Sequence, residues 1–567
     1  MKTTKKVLTA LMLALVMAVI SFAQPVAAMA TAEQAQQDFE FIPIRAFFES
    51  FEGEVDWNDA DRSIHIAVDG GSIVIFVDTS EAYVNGLAVN LPTPIILDQG
   101  TAFMYAGDME ILIEIFLMTL LDGSDFLTFY LTEEARDIAL YDFDFVVNAI
   151  LENSAWESVL NRRLGINFQE YTAMLRYQIY NMVPFTLPIP TALLEEMLGG
   201  SIYETVFPIR GSDDPRDIAA DFLSYFLLVE MGIMFEGIGH LMPRELVMFE
   251  MQYSGMRMAY HHGEINRELD PNNTMRHDIF THPDVVWFYG EIDVDLYADM
   301  MDVIPDVPGN IVAEIIVPGE VAYLGIRSFV ANWDYDNLIT IPFFEEIQDF
   351  DHLILDLRGN GGGFSVYFPY NIFNRLISEP TVVNMHEFFS AGDIAVESMN
   401  ALMQTMQNIM QEDVYAEELF SVEILPARDF ISQQGMTAFN QQDLARLEYV
   451  MITSELIAPN PDGIIFNGKV WLLVDGGSAS ASSFATLMLM NTGIATVVGE
   501  NTSGVMGSHH TYVILPNIGM LFRIDIGYKT DALGNSLEAY GIAPHVYNFD
   551  GMDALETVLE LIAQGEF

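Results

Sequence analysis

The stretch Val470-Trp471-Leu472-Leu473-Val474-Asp475-Gly476-Gly477-Ser478-Ala479-Ser480-Ala481-Ser482-Ser483-Phe484 decides the fold. Five apolar residues without alternation read as a strand covered on both faces. A glycine turn follows, then serines that lead into an apolar helical stretch from Phe484 to Met490. A serine at a strand-to-helix turn sits where the helix start offers free N–H groups and positive potential. That suits a nucleophile whose tetrahedral intermediate carries an oxyanion. It also suits plain N-capping, since serine is a favoured cap. The stretch is not the G-x-S-x-G elbow of α/β-hydrolases.

Working outward, Val321–Ile326, His352–Leu357 and Thr496–Gly499 repeat the pattern of a buried strand, and the segments between them alternate with helices. This predicts an α/β core over residues 309–567 with a largely covered sheet. A second glycine turn, Arg358-Gly359-Asn360-Gly361-Gly362-Gly363, follows the strand ending at Leu357. Such glycines let backbone N–H groups approach an oxyanion. A phosphate loop is disfavoured because no Gly-Lys-Ser/Thr ending is present. Ala395–Gln411 reads as a Met-rich packing helix.

Upstream, residues 128–291 read as mostly helical, with a helix start at Gly211-Ser212-Asp213-Asp214-Pro215. The apolar run Phe222–Phe235 is too short for a membrane span and contains Glu230, so it reads as a buried helix. Residues 33–120 read as short strands, with hairpin signals at Asp69-Gly70-Gly71 and Asn85-Gly86. Residues 1–30 carry Lys2, Lys5 and Lys6, then the apolar run Val7–Ala23 and the small-residue motif Val26-Ala27-Ala28. That is the layout of a signal peptide, so a secreted, extracellular or cell-envelope location is expected.

With 81 acids against 23 Lys plus Arg, the net charge of −58 argues against nucleic-acid or anionic-membrane partners. The absence of cysteine removes thiol nucleophiles and thiolate metal sites. No H-E-x-x-H occurs and no metal-ligand cluster stands out.

Five blocks in order carry a family resemblance: Leu353-Ile354-Leu355-Asp356-Leu357-Arg358-Gly359-Asn360-Gly361-Gly362-Gly363; Ser478-Ala479-Ser480-Ala481-Ser482; Val497-Val498-Gly499-Glu500-Asn501-Thr502-Ser503-Gly504; Leu515-Pro516; and Tyr540-Gly541-Ile542-Ala543-Pro544. Together they resemble the tail-specific (C-terminal processing) and tricorn-like serine peptidases, family S41. The resemblance implies an S41-type α/β peptidase core, preceded by the helical subdomain and the β-rich domain. It implies Ser480 as nucleophile, with the Ala481 amide and one from Gly361 or Gly362 forming the oxyanion hole. It implies a peptide or protein substrate and no cofactor. The better-known branch places a lysine 25 residues after the serine, where this chain has Val505. The other branch uses an upstream histidine and a late glutamate, which match His240 and Glu538. His509 and His510 are further histidines that could reach the site, while His261-His262 form another adjacent pair. Adjacent strand residues face opposite ways, so one of each pair at most could serve. A PDZ module, frequent in the family, is not expected. A catalytically silent relative that binds peptides or envelope components is the competing reading. The N-terminal segment resembles the copper amine oxidase-like N-terminal, or stalk, domain through Ile42-Pro43-Ile44-Arg45, Val55-Asp56-Trp57, Arg62-Ser63-Ile64 and Val84-Asn85-Gly86. It implies no copper, because His65 is the segment's one histidine.

Overall fold

The computed structural model describes residues 41–49, 53–68, 71–91, 95–98, 101–105, 109, 112, 116, 126–164, 167–181, 185–190, 207, 210–233, 242–243, 270–290, 306–412, 420–504 and 509–565. Backbone contacts divide the chain into two units, residues 1–134 with 164–211, and 135–163 with 212–567. Residues 1–30, read from the sequence as a signal peptide, lie outside the described residues, as does His240.

In the first unit, β-branched runs alternate between buried and exposed positions and pair into a five-stranded antiparallel meander. Its strands are Glu54–Asn58, Ser63–Val68, Gly71–Phe76, Glu81–Val84 and Leu87–Asn90. Asn85 and Gly86 both have positive φ, +49° and +84°, as a two-residue hairpin requires. Ile64, Ile66, Ile73 and Ile75 pack with Phe47 from a short helix, Ile44–Glu49.

In the second unit the upstream helices include Glu157–Leu164 and Pro215–Leu227. Asp214 caps the latter by accepting the Arg216 N–H, and Pro215 sits in its first turn. The apolar run then continues as a π-helical turn, Leu228–Ile233. No helix among the described residues is long and apolar enough to cross a membrane.

The main sheet has six strands. They are β1 (Ile311–Val317), β2 (Val321–Ile326), β3 (His352–Asp356), then β7 (Lys469–Val474), β8 (Ala495–Gly499) and β12 (Val546–Tyr547), neighbouring in that order. β1 is antiparallel to β2 and every other pairing is parallel. The unbroken apolar run at 470–474 follows from two-sided burial. Leu472 and Val474 face a cluster with Phe344, Ile347, Ala485 and Met488, from helices α1 (Trp333–Ile347) and α3 (Ala481–Thr492). Trp471 and Leu473 face Val558 and Leu561 of α5 (Ala554–Gln564). A second sheet of four antiparallel strands has the order β5 (Phe420–Pro426), β6 (Leu447–Ile457), β4 (Thr381–Ser390), β11 (Gly527–Tyr528). The predicted Met-rich helix is α2, Asp393–Glu412. A small third sheet joins β9 (His510–Ile514), β10 (Leu521–Asp525) and the strand Met242–Pro243.

Leu355 is fully buried between β2 and β7 on the α1/α3 face. Leu355→Ala is expected to lower the unfolding free energy by about 2–5 kcal/mol, read from urea melts. A loss below about 1 kcal/mol would show that this face is not packed as described.

Candidate active site

The two glycine turns leave the carboxyl ends of adjacent parallel strands, β3 and β7, where open α/β sheets present their sites. The first turn is fixed at its base by charge. Arg358 clasps Asp356 through Nε at 3.0 Å and Nη2 at 2.6 Å, and reaches Asp553 at 3.0 Å. Tyr323 donates to the same Asp356 carboxylate at 2.8 Å; burial and that anion push its phenol up to about 12.

Asn360 stitches the two turns together. Fully buried, it donates through Nδ2 to Ile326 O at 2.9 Å and accepts the Gly362 N–H on Oδ1 at 2.8 Å. Its carbonyl accepts the Ala479 N–H at 3.0 Å. Asp475 adds a second stitch, accepting from Gly359 N at 2.8 Å and Gly477 N at 2.9 Å.

The serines of the second turn divide by role. Ser478 is buried, donates to Leu357 O at 2.8 Å and accepts the Asp475 N–H at 3.1 Å. Ser482 is buried too, and Ser483 donates back to Ser478 O at 3.1 Å. Ser480 alone of the four is half-exposed. It stands at the cap position of α3 with φ +51° and ψ −122°, and its hydroxyl makes no capping bond. Capping therefore does not explain this serine. A non-glycine residue in that conformation carries strain of about 1–3 kcal/mol, held by its surroundings.

Gly362 touches this elbow. A Cβ on Gly362 would stand 2.8 Å from Ser480 Cβ, from Ala479 O and from Ala481 N. As the first helical residue, Ala481 has an N–H without a partner inside its helix. Of the two glycine amides named from the sequence, Gly362 N–H is committed to Asn360. Gly361 N–H makes no hydrogen bond among the described residues, and Gly361 is exposed.

Glu538 is buried in a one-turn helix, α4 (Leu537–Tyr540), and Arg163 donates to its carbonyl at 3.0 Å. The α4 turn meets the strand end after β8. Gly504 would clash with Leu537 O at 2.2 Å if it carried a Cβ, and Ser503 N donates to Ser478 O at 3.0 Å. Leu537 and Ile542 pack on Leu487 of α3. The structure thus sets Gly362 against Ser480 and Ala481 at the start of α3, while the Glu538 turn packs on the middle of the same helix through Leu487. His240, His261, His262 and Val505 lie outside the described residues.

His509 is described, and it meets a residue that the sequence reading missed. Glu387 on β4 accepts the His509 N–H at 2.7 Å and also contacts the imidazole Nδ1. The one signal in the sequence was an acid in the buried phase of an alternating strand, Val383-x-Met385-x-Glu387-x-Phe389. Asn360 was missed as well, hidden in a glycine run. Among the described residues, no group of three or more His, Asp or Glu is placed to hold a metal ion.

The division of labour among the serines has a stability signature. Ser478→Ala removes a doubly bonded buried hydroxyl and is expected to destabilise by about 1–3 kcal/mol. Ser480→Gly relieves the positive φ and is expected to leave the melting temperature unchanged or raise it. The reverse order in thermal melts would contradict the assigned elbow.

Residues 320–548, which hold both turns, Ser480 and Glu538, match peptidase family S41, and residues 23–109 match the copper amine oxidase N-terminal domain. Among solved structures, the photosystem II D1 C-terminal processing protease is 18% identical, over 44% of this chain and 50% of that one, with a TM-score of 0.25. Mature CPAF complexed with lactacystin is 12% identical, over 76% and 98% of the two chains, with a TM-score of 0.36. The tricorn protease is 10% identical, over 90% and 41%, with a TM-score of 0.29. This chain therefore spans half or less of two of those three. The region that builds the site, residues 320–548, is thus similar to peptidase family S41, and it follows a region, residues 23–109, that is similar to the copper amine oxidase N-terminal domain.

Proposed function

We propose that this protein is an exported serine endopeptidase that hydrolyses peptide bonds through an acyl-enzyme at Ser480. The observation that carries the reading is the elbow. A half-exposed serine at positive φ heads α3, followed by the open Ala481 amide, and Gly362 of the neighbouring turn packs against it. In the proposed reaction Ser480 Oγ attacks the scissile carbonyl while an imidazole takes its proton. The carbonyl oxygen, now an oxyanion, is held by the Ala481 and Gly361 N–H groups and the positive end of α3. The imidazolium then protonates the leaving amine as the C–N bond breaks, and water releases the acyl group by the same steps in reverse.

On the family resemblance the imidazole is that of His240, oriented by Glu538. Glu387–His509 is a second imidazole–carboxylate pair. Export rests on the signal-like residues 1–30, and the partition into domains 33–120, 128–291 and 309–567 belongs to the same proposal. The substrate is a peptide or protein.

A fluorophosphonate probe is expected to label Ser480, and Ser480→Ala to lower casein cleavage by at least about 10⁴-fold. Gly362→Ala, which sets a methyl 2.8 Å from the Ala481 nitrogen, is expected to slow labelling by about 10²-fold or more. Casein cleavage retained in Ser480→Ala would refute the proposal. A folded wild-type protein that neither labels nor cleaves would establish a silent binding relative.

A further inference from the structure

The Glu387–His509 pair belongs to none of the residues that the family resemblance names. On β4, Val383, Met385, Glu387 and Phe389 share one face. Val383 and Met385 of that face pack into the apolar core around α3, yet Glu387, only 4% exposed, is an acid. Burial alone would raise its pKa, but His509 and Lys529 outweigh burial and pull it down to about 2. The fit is tight, since a Cβ on Gly527 would fall 1.7 Å from Glu387 Oε1.

An ionised carboxylate only accepts, so Nδ1 of His509 must be the donor in this contact. In the neutral ring that leaves the basic lone pair on Nε2. The His509 side chain is 32% exposed, its ring leans on Phe389, and Nε2 makes no hydrogen bond among the described residues. A buried carboxylate on Nδ1 with an accessible Nε2 is the arrangement a general base requires.

Two contacts join chain neighbours of the pair to chain neighbours of the nucleophile. Ser503, six residues before His509, donates to Ser478 O at 3.0 Å, so the chain leading to His509 starts against the serine turn. Met385 and Phe484 flank one cluster, Leu487, Leu537 and Ile542. Phe484 lies one turn into the helix that Ser480 begins, donating its N–H to Ser480 O at 3.0 Å, and Glu387 is the next residue on Met385's face.

We propose that His509, oriented by Glu387, is the general base that takes the proton of Ser480. The inference rests on the Ser480 reading and replaces His240 in that one role. As the Oγ–C bond forms, the proton passes from Oγ to Nε2; as the C–N bond breaks, it passes from Nε2 to the leaving amine. Glu387 stays ionised throughout. Among the described residues, the other charged or titratable groups around the pair are Lys529 and His386 beside Glu387, His510 next in the chain, Asp525 across from His510, and Arg523 bonded to Asp525.

The test is the rate of Ser480 phosphonylation by a fluorophosphonate between pH 5 and 9, in the full chain and in His509→Gln, His509→Ala and Glu387→Gln. Glutamine can still donate to Glu387, which guards against misfolding. The wild-type rate is expected to rise with pH through one ionisation. In both His509 variants the rate should fall by at least about 10²-fold and that ionisation should vanish. Glu387→Gln should slow labelling about tenfold, because the ring loses the anion that holds its Nδ1–H tautomer. A purely structural histidine would slow labelling without removing the ionisation. A His509→Gln protein that labels within tenfold of wild type, or that keeps the wild-type ionisation, overturns the proposal and returns the proton to His240. Casein cleavage retained by Ser480→Ala is a different failure, because it removes the nucleophile itself.

Discussion

The second unit is organised around the contact between two backbone turns at the ends of β3 and β7. An approach in which a Cβ on Gly362 would come within 2.8 Å of both Ser480 Cβ and the Ala481 amide leaves no room for any side chain at that position. It also requires both turns to be held from beneath. Asn360 does this by bonding at once to Ile326, Gly362 and Ala479, and Asp475 repeats the stitch between Gly359 and Gly477. With the turns locked, the strain at Ser480 persists in the native state because relieving it would break several buried hydrogen bonds.

Electrostatics acts on the same frame in two ways. The chain carries −58 net charge, and the anions at the base of the turns are held by a cation or by backbone amides, Asp356 by Arg358 and Asp475 by the Gly359 and Gly477 N–H groups. Arg358 lies between Asp356 and Asp553, and Lys529 lies near Glu387. Backbone amides and the start of α3 supply the positive potential beside Ser480.

Much of this was legible in the sequence. The unbroken apolar runs announced a sheet covered on both faces, and the residues of 470–474 indeed divide between the clusters of α1/α3 and α5. The serine was legible as lying at a strand-to-helix turn, but four serines in six residues offered no local means of separating buried Ser478, Ser482 and Ser483 from the elbow. Only backbone conformation does that. Glu387 was not legible because its partner lies 122 residues away, and an acid in a strand reads as solvent-facing until the pairing of β4 is known. The choice between Gly361 and Gly362 turned on the Asn360 side chain, which a glycine run conceals.

The central claim is that Ser480 Oγ and the amides of Ala481 and Gly361 converge on one reacting carbonyl. The most direct measurement is a crystal structure of the fluorophosphonate-treated protein. The account predicts a phosphonyl group on Ser480 Oγ with one phosphoryl oxygen at about 2.7–3.1 Å from both amide nitrogens. An adduct on Ser478, Ser482 or Ser483, or a phosphoryl oxygen turned away from both amides, would contradict it.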